Sequence, residues 1–317
     1  RVWLALELKG LEYTTLLIDN MGERRPAWYG GSTPQVAWPD GSRQGESLDL
    51  MRELDARYPE TRPLWDPPSS SGKSMAQEVA EMVGAFKGTF PSGARPSSRA
   101  AFLFGSSGTP LSRKTFEATL DATEALLGRH PSGPFFVGEE ISAADMAWAP
   151  FLERYAAQLP CLHEGLCPRR DRERWPLLGR WYRAMESEAP AYSCRLRGDD
   201  ESWRRVLVMQ GYGNVGMAPP PLDPGDGVAE GAASSPSEVA AAWAVYSKTR
   251  PHVADTPARE VASIIVRNRV GIARDASMRR LSSALGTDEE IDEGLRALAS
   301  ALCGGEAKGE AKGGGRA

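Results

Sequence analysis

The chain has 317 residues, 41% of them hydrophobic and 25% charged, with a formal net charge of -4. That length gives material for two domains or more, and the composition is that of an ordinary soluble globular protein. With no basic excess to attract nucleic acid and no apolar run near the roughly 20 residues a membrane helix needs, neither a nucleic-acid nor a membrane partner is expected.

The sequence opens on Arg1-Val2-Trp3-Leu4-Ala5-Leu6-Glu7-Leu8, which reads as helix, with Lys9-Gly10 as its last turn and cap. Because Arg1 stands where a Met would start, an upstream segment is expected and no targeting signal can be judged; an intracellular place, cytoplasmic or organellar, is the expectation. Glu12 to Ile18 is β-branched and apolar, and it reads as a strand. Thr33 to Trp38 reads as a second strand, followed by a turn at Pro39-Asp40-Gly41-Ser42. Ser47 opens a helix whose Leu50, Met51, Leu54 and Tyr58 share a face, ending at Pro59.

Pro63, Pro67, Pro68 and Ser69-Ser70-Ser71 make the next stretch a linker. Helical periodicity then runs through 74–90, 113–130, 142–158 and 171–187, so strands give way to helices and an α+β domain is followed by an all-α one. A short helix begins at Asp199, the composition turns to Gly, Pro, Ala and Ser over 213–236, and helices resume at 238–248, at Thr256-Pro257 and at Thr287. Thr287 with Glu290 forms a capping box above the stripe Ile291, Leu295, Leu298 and Leu302. The tail 304–317 is expected to be disordered.

The four cysteines, 161, 167, 194 and 303, show no CxxC pair. They read as reduced thiols, and Cys161 and Cys167 around His163 read as an interhelical loop rather than metal ligands. Basic residues at 169, 170, 172 and 174 alternate with acids and read as a solvated helix start.

One helix start is specified at each position. Ser142 can accept from the orphan N–H groups of the first turn, Asp145 can reach back to the cap's own N–H, and Ile141 and Met146 can close a hydrophobic staple. The string Phe135-Phe136-Val137-Gly138-Glu139-Glu140-Ile141-Ser142-Ala143-Ala144-Asp145-Met146 resembles the start of the central helix in the C-terminal domain of glutathione transferases. Arg1 to Gly10 resembles the first helix of the omega-like and lambda-like classes. Thr33-Pro34-Gln35-Val36 and Gly45-Glu46-Ser47 are similar to that family's cis-proline strand entry and its turn into the third helix.

The resemblance implies a thioredoxin-like domain lacking its first strand over residues 1–60 and an all-helical domain over 73–212; composition and periodicity add a linker over 213–236, a helical extension over 237–303 and a tail, which match no part of that family's pattern. It implies glutathione as co-substrate, with the Thr33 backbone before Pro34 pairing with the cysteinyl part and Glu46 and Ser47 holding the γ-glutamyl end. The reaction implied is conjugation to an electrophile or glutathione-dependent thiol transfer, a detoxification or redox role, with the reacting Cys or Ser lying upstream of Arg1 and no metal. Met82, Phe86 and Phe90 are candidates for the second-substrate pocket, a small electrophile or disulfide being the partner there. A homodimer is the family's common assembly, and the extension suits a protein partner. The plainer readings stay open: Pro34 as a trans edge-strand proline, Ser47 as only an N-cap, Glu46 as a turn acid, Trp148, Phe151 and Tyr155 as core, and the whole chain as a non-catalytic scaffold.

Overall fold

The computed structural model describes residues 1–16, 18, 26–30, 33–94, 103–105, 108–196, 236–276 and 286–304. The chain divides into two compact units, residues 1–11 with 27–237 and residues 12–26 with 238–317. The expected helix at Asp199, the linker 213–235 and the tail 305–317 lie outside the described residues.

The first unit begins with α1, Val2–Leu8, which buries Val2, Leu4 and Ala5. Its end is fastened by charge. The Lys9 side chain is fully buried, and Nζ donates to Asp55 Oδ1 at 2.8 Å and to the Arg62 carbonyl at 3.0 Å. Asp55 Oδ2 accepts from the backbone N–H groups of Leu64 and Trp65, both at 2.8 Å. A buried ion pair stabilises only when its remaining lone pairs and protons find partners, and here two of the ammonium's donors and both carboxylate oxygens are engaged.

The strand expected over Glu12 to Ile18 does not form in its described residues, which belong to the second unit. A β-prone segment becomes a strand only where a neighbouring ladder takes its N–H and C=O groups; here the Tyr13 ring sits edge-on to His252 instead, at 5.8 Å. The strand expected over Thr33 to Trp38 narrows to β1, Val36–Ala37, antiparallel to β2, Arg43–Gln44, with Val36 opposite Gln44 and Ala37 opposite Arg43. Asp40 Oδ1 accepts from Ser42 N–H inside the turn at 2.8 Å, and Gly41 supplies its positive φ of 84°. Then α2, Ser47–Arg57, buries Leu50, Met51 and Leu54 against α1. The order helix, strand, strand, helix is consistent with part of a thioredoxin-like domain.

The all-α part follows: α3, Ala76–Ala85, continued by a 3₁₀ turn at Phe86–Thr89; α4, Arg113–Leu127, capped by Ser112; α5, Ala143–Leu162; and α6, Pro176–Glu188. Helix α5 is buried over most of its length and runs through Pro150 and Pro160. Cys161 therefore lies inside it rather than in a loop, its thiol directed at the Ala157 carbonyl. Helix α6 starts five residues later than the periodicity predicts, because Pro176 is suited to a first helical turn whose N–H groups are unsatisfied anyway. Arg169, expected to be solvated, instead bridges Glu153 and Glu186 with its guanidinium over the Tyr182 ring.

The second unit holds α7, Pro236–Ser247, α8, Pro257–Ala276, and α9, Asp288–Leu302. Trp243 Nε1 donates to the Ala254 carbonyl at 2.9 Å, and the buried Glu260 accepts from Ala254 N–H at 2.9 Å. Helices α8 and α9 pack closely where Ala262, Ala273 and Ala299 are buried. Thr287 and Glu290 form both hydrogen bonds of a capping box. The chain is thus α+β at its start and all-α beyond, and among the described residues no helix is long and apolar enough to cross a membrane.

Candidate functional site

Two helix N-termini of the first unit carry the residues singled out in the sequence. At α5, Ser142 and Asp145 are fully buried. Asp145 Oδ2 accepts from Ser142 N–H at 2.9 Å and Ser142 Oγ at 3.0 Å, and Ser142 Oγ in turn accepts from Ala144 N–H at 3.2 Å. Asp145 Oδ1 takes Phe136 N–H at 3.1 Å and Trp181 Nε1–H at 2.9 Å. Burial raises the carboxyl above its usual range, with the four donors pulling the other way. The box therefore does more than begin a helix: through Phe136 and Trp181 it fixes the preceding loop and α6 to the same carboxylate. No lone pair is left for a substrate, so its role is structural.

The start of α2 is different. Glu46 holds the N-cap position at φ 59° and ψ 103°, outside the usual regions, and its side chain does not cap the helix. Glu46 is exposed and Ser47 half-buried. Arg1, which nothing in the sequence marked as a site residue, reaches this point from α1. Its Nη1 donates to Ser47 Oγ at 3.0 Å and its Nε to the Ala147 carbonyl at 3.1 Å. The guanidinium lies 4.7 Å from the Phe86 ring centre and 5.2 Å from that of Phe151. Burial lowers its pKa to about 10, and no acid is near enough to oppose that shift. Among the described residues this cation has a hydroxyl, a carbonyl and two aromatic faces, but no carboxylate.

Thr33 and Pro34 come to the same end of the hairpin through its register. Pro34 precedes Val36 by two positions, Glu46 follows Gln44 by two, and Val36 and Gln44 are partners. The Thr33–Pro34 bond is cis. Thr33 Oγ1 is hydrogen-bonded to the hydroxyl of Tyr29, a buried residue that the sequence reading passed over. Beside it Trp28 is 42% exposed, and Arg43 stacks on its ring at 4.5 Å.

Met82 and Phe86 are buried and Phe90 is half-buried. The Phe86 ring meets Phe90 at 4.8 Å, Trp148 at 4.9 Å and Phe151 at 5.2 Å. This aromatic cluster is therefore packed, and its link to Ser47 is Arg1. Trp148 and Tyr155 are core, whereas Phe151 is half-buried and supplies one face of the guanidinium slot. The signal for Arg1 was available only in three dimensions, since Arg1, Ser47, Phe86 and Phe151 are far apart in sequence. Among the described residues no group of His, Cys, Asp and Glu is placed to hold a metal ion.

Residues 76–184 match the sequence model of the glutathione S-transferase C-terminal domain. The chain is similar to glutathione S-transferase L1 of Arabidopsis thaliana, 31% identical over 162 residues that span 49% of this chain and 61% of the relative. It is similar also to glutathione S-transferase DHAR2 of Arabidopsis thaliana, 33% identical over 156 residues, 48% of this chain and 63% of the relative. Among solved structures, glutathione transferase Omega 3C from Trametes versicolor aligns over 68% of this chain and 86% of that one, at 16% identity and a TM-score of 0.48. The chain thus spans 61% to 63% of the length of these two curated relatives.

Proposed function

We propose that this glutathione transferase-like chain, whose residues 76–184 make up a glutathione S-transferase C-terminal domain, binds glutathione at the end of the β1–β2 hairpin and the start of α2. On this reading the Thr33 backbone pairs with the cysteinyl part, Glu46 takes the α-ammonium, and Ser47 takes the α-carboxylate of the γ-glutamyl end. The observation that carries it is Arg1: a half-buried guanidinium 3.0 Å from Ser47 Oγ, with no carboxylate partner among the described residues. An uncompensated cation in a partly desolvated slot is unfavourable by itself and favours an arriving anion. The N–H groups of α2 left uncapped point the same way.

The activity is transfer or exchange at the glutathione sulfur, conjugation or thiol transfer, and the reacting residue is the Cys or Ser that the opening helix's resemblance puts before Arg1. Glutathione supplies the nucleophilic thiol when bound; this chain's own residues hold its backbone and its γ-glutamyl end. Titration calorimetry of the full-length protein with glutathione tests the site. Ser47→Ala is expected to weaken binding about tenfold to a hundredfold, the worth of one hydrogen bond to a charged group. An unchanged affinity would remove Ser47 from the site, and no binding at millimolar glutathione would remove the site itself.

A further inference from the structure

The second unit carries a cleft that the glutathione reading does not use. It lies between α8 and α9, has a volume of about 600 Å³, and all of its lining belongs to these two helices and the residue after them. That volume is in the range of small-molecule sites. The floor is apolar, built from Ala262, Ile265, Val266, Leu295 and Ala299. Four arginines surround it, Arg259, Arg267, Arg269 and Arg296, and no acidic side chain lines it.

The charges around the cleft do not balance. Arg259 pairs with Asp255 at 2.6 Å, while Arg269 and Arg296 share the single carboxylate of Asp292, at 2.9 and 2.8 Å. Both guanidiniums, that of Arg296 foremost, hold the Asp292 carboxyl below its usual range. Arg267 has no acid partner among the described residues; it donates to Ser263 Oγ at 2.6 Å and to the Ser263 carbonyl at 3.3 Å. Glu260, on the same helix, is engaged by Ala254 N–H. The acids Asp288, Glu289 and Glu293 line the neighbouring groove, with Arg274. Arg269 and Arg296 line that groove as well, so of the four arginines Arg267 is the one left without an acid among the described residues, beside the apolar floor.

We propose that this cleft binds a small amphipathic anion, a carboxylate with an unbranched or aromatic apolar body. The head pairs with Arg267 and the neighbouring arginines, and the body covers Ile265, Leu295 and the two alanines. Arg267, which has no acid among the described residues, selects an anion over a neutral molecule, and the apolar floor selects an amphiphile over a simple anion. Arginine is suited to this because its planar fork meets a carboxylate bidentately and is weakly hydrated.

Calorimetry on the full-length protein with excess glutathione present tests it, using dodecanoate, dodecan-1-ol and acetate as probes. Dodecanoate is expected to bind, with dodecan-1-ol about tenfold or more weaker and acetate not measurable. Arg267→Gln, on an exposed position, is expected to weaken dodecanoate about tenfold and leave glutathione affinity unchanged. Ala299→Phe, which fills the floor, is expected to abolish dodecanoate binding. Absence of dodecanoate binding, equal binding of the alcohol, or an Arg267→Gln variant indistinguishable from the parent would overturn the proposal. So would displacement of dodecanoate by glutathione, which would put the ligand in the first unit; failure of glutathione to bind at all would bear on the other site alone.

Discussion

Helices α5 and α2 begin in the same compact unit, and their N-termini are built to opposite specifications. At α5 the chain supplies its own anion: Asp145 is buried and takes four donors from Ser142, Phe136 and Trp181. At α2 the Glu46 side chain does not cap the helix, and a cation, Arg1, has been brought to the Ser47 hydroxyl with no anion to meet it among the described residues. The first terminus has had its electrostatics completed by folding, and the second has had them left incomplete. That difference separates a residue that stabilises the domain from residues that can hold a ligand, although both termini pair a serine with a neighbouring acid in sequence.

The largest effect should come from breaking the completed terminus. Asp145→Asn keeps the shape but replaces one acceptor oxygen with an amide donor, leaving Phe136 N–H and Trp181 Nε1–H, or Ser142 N–H, without a partner. Each buried orphan donor costs about 1–3 kcal/mol, so a loss of about 3–5 kcal/mol is expected in denaturant unfolding. The pH dependence has a defined sign. Because the folded carboxyl titrates above its unfolded value, its contribution is fully present below the unfolded value and is lost as pH rises through the folded one. The Asn variant should lack that segment of the stability–pH curve, and a wild-type-like curve would show that the carboxyl's burial is not what sets it.

What could be read from the sequence follows the same division. The α5 terminus was legible because Ser142, Asp145, Ile141 and Met146 interact over one helical turn, and periodicity carried α3 to α6 and α8 to α9 for the same reason. The strand at Glu12 to Ile18 was misread because β propensity says nothing about whether a ladder partner is at hand. The aromatic face of α5 was read as core, which holds for Trp148 and Tyr155 but hides the part Phe151 plays in the guanidinium slot. Arg1 was invisible as a site residue because its role depends on α1, α2, α5 and the turn after α3 meeting at one point.

The next effect in size comes from the incomplete terminus. Arg1→Gln should weaken glutathione about tenfold to a hundredfold, the worth of a charge-assisted pair in a partly buried slot, measured by calorimetry. Stability should change little or rise, because the variant removes a charge that burial disfavours while losing its two aromatic contacts. Burial disfavours the charge, but a guanidinium stays a cation over the working pH range, so the ratio of the parent's affinity to that of Arg1→Gln is expected to stay constant around neutral pH. A large loss of stability with no loss of affinity would make Arg1 a structural residue and erase the contrast with Asp145.

The smallest expected effect is the one that most sharply separates strain from charge. Glu46 sits at φ 59°, where a side chain is disfavoured, and such a conformation costs about 1–3 kcal/mol, persisting where its surroundings determine it. Glu46→Gly relieves that strain but gives the unfolded chain more freedom, about 0.4–1 kcal/mol in the opposite sense. The balance is a gain of about 1 kcal/mol in unfolding free energy, together with weaker glutathione binding from loss of the carboxylate that takes the α-ammonium. Glu46→Gln keeps the strain and loses only the charge, so it should bind glutathione as poorly as the glycine variant while unfolding like the parent. If both variants bind like the parent, Glu46 is a turn residue and the α2 terminus holds its ligand through Arg1 and Ser47 alone. If the glycine variant gains nothing in stability, the left-handed backbone is not a strain the site imposes, and the contrast between a terminus completed by folding and one held ready for a ligand rests on charge.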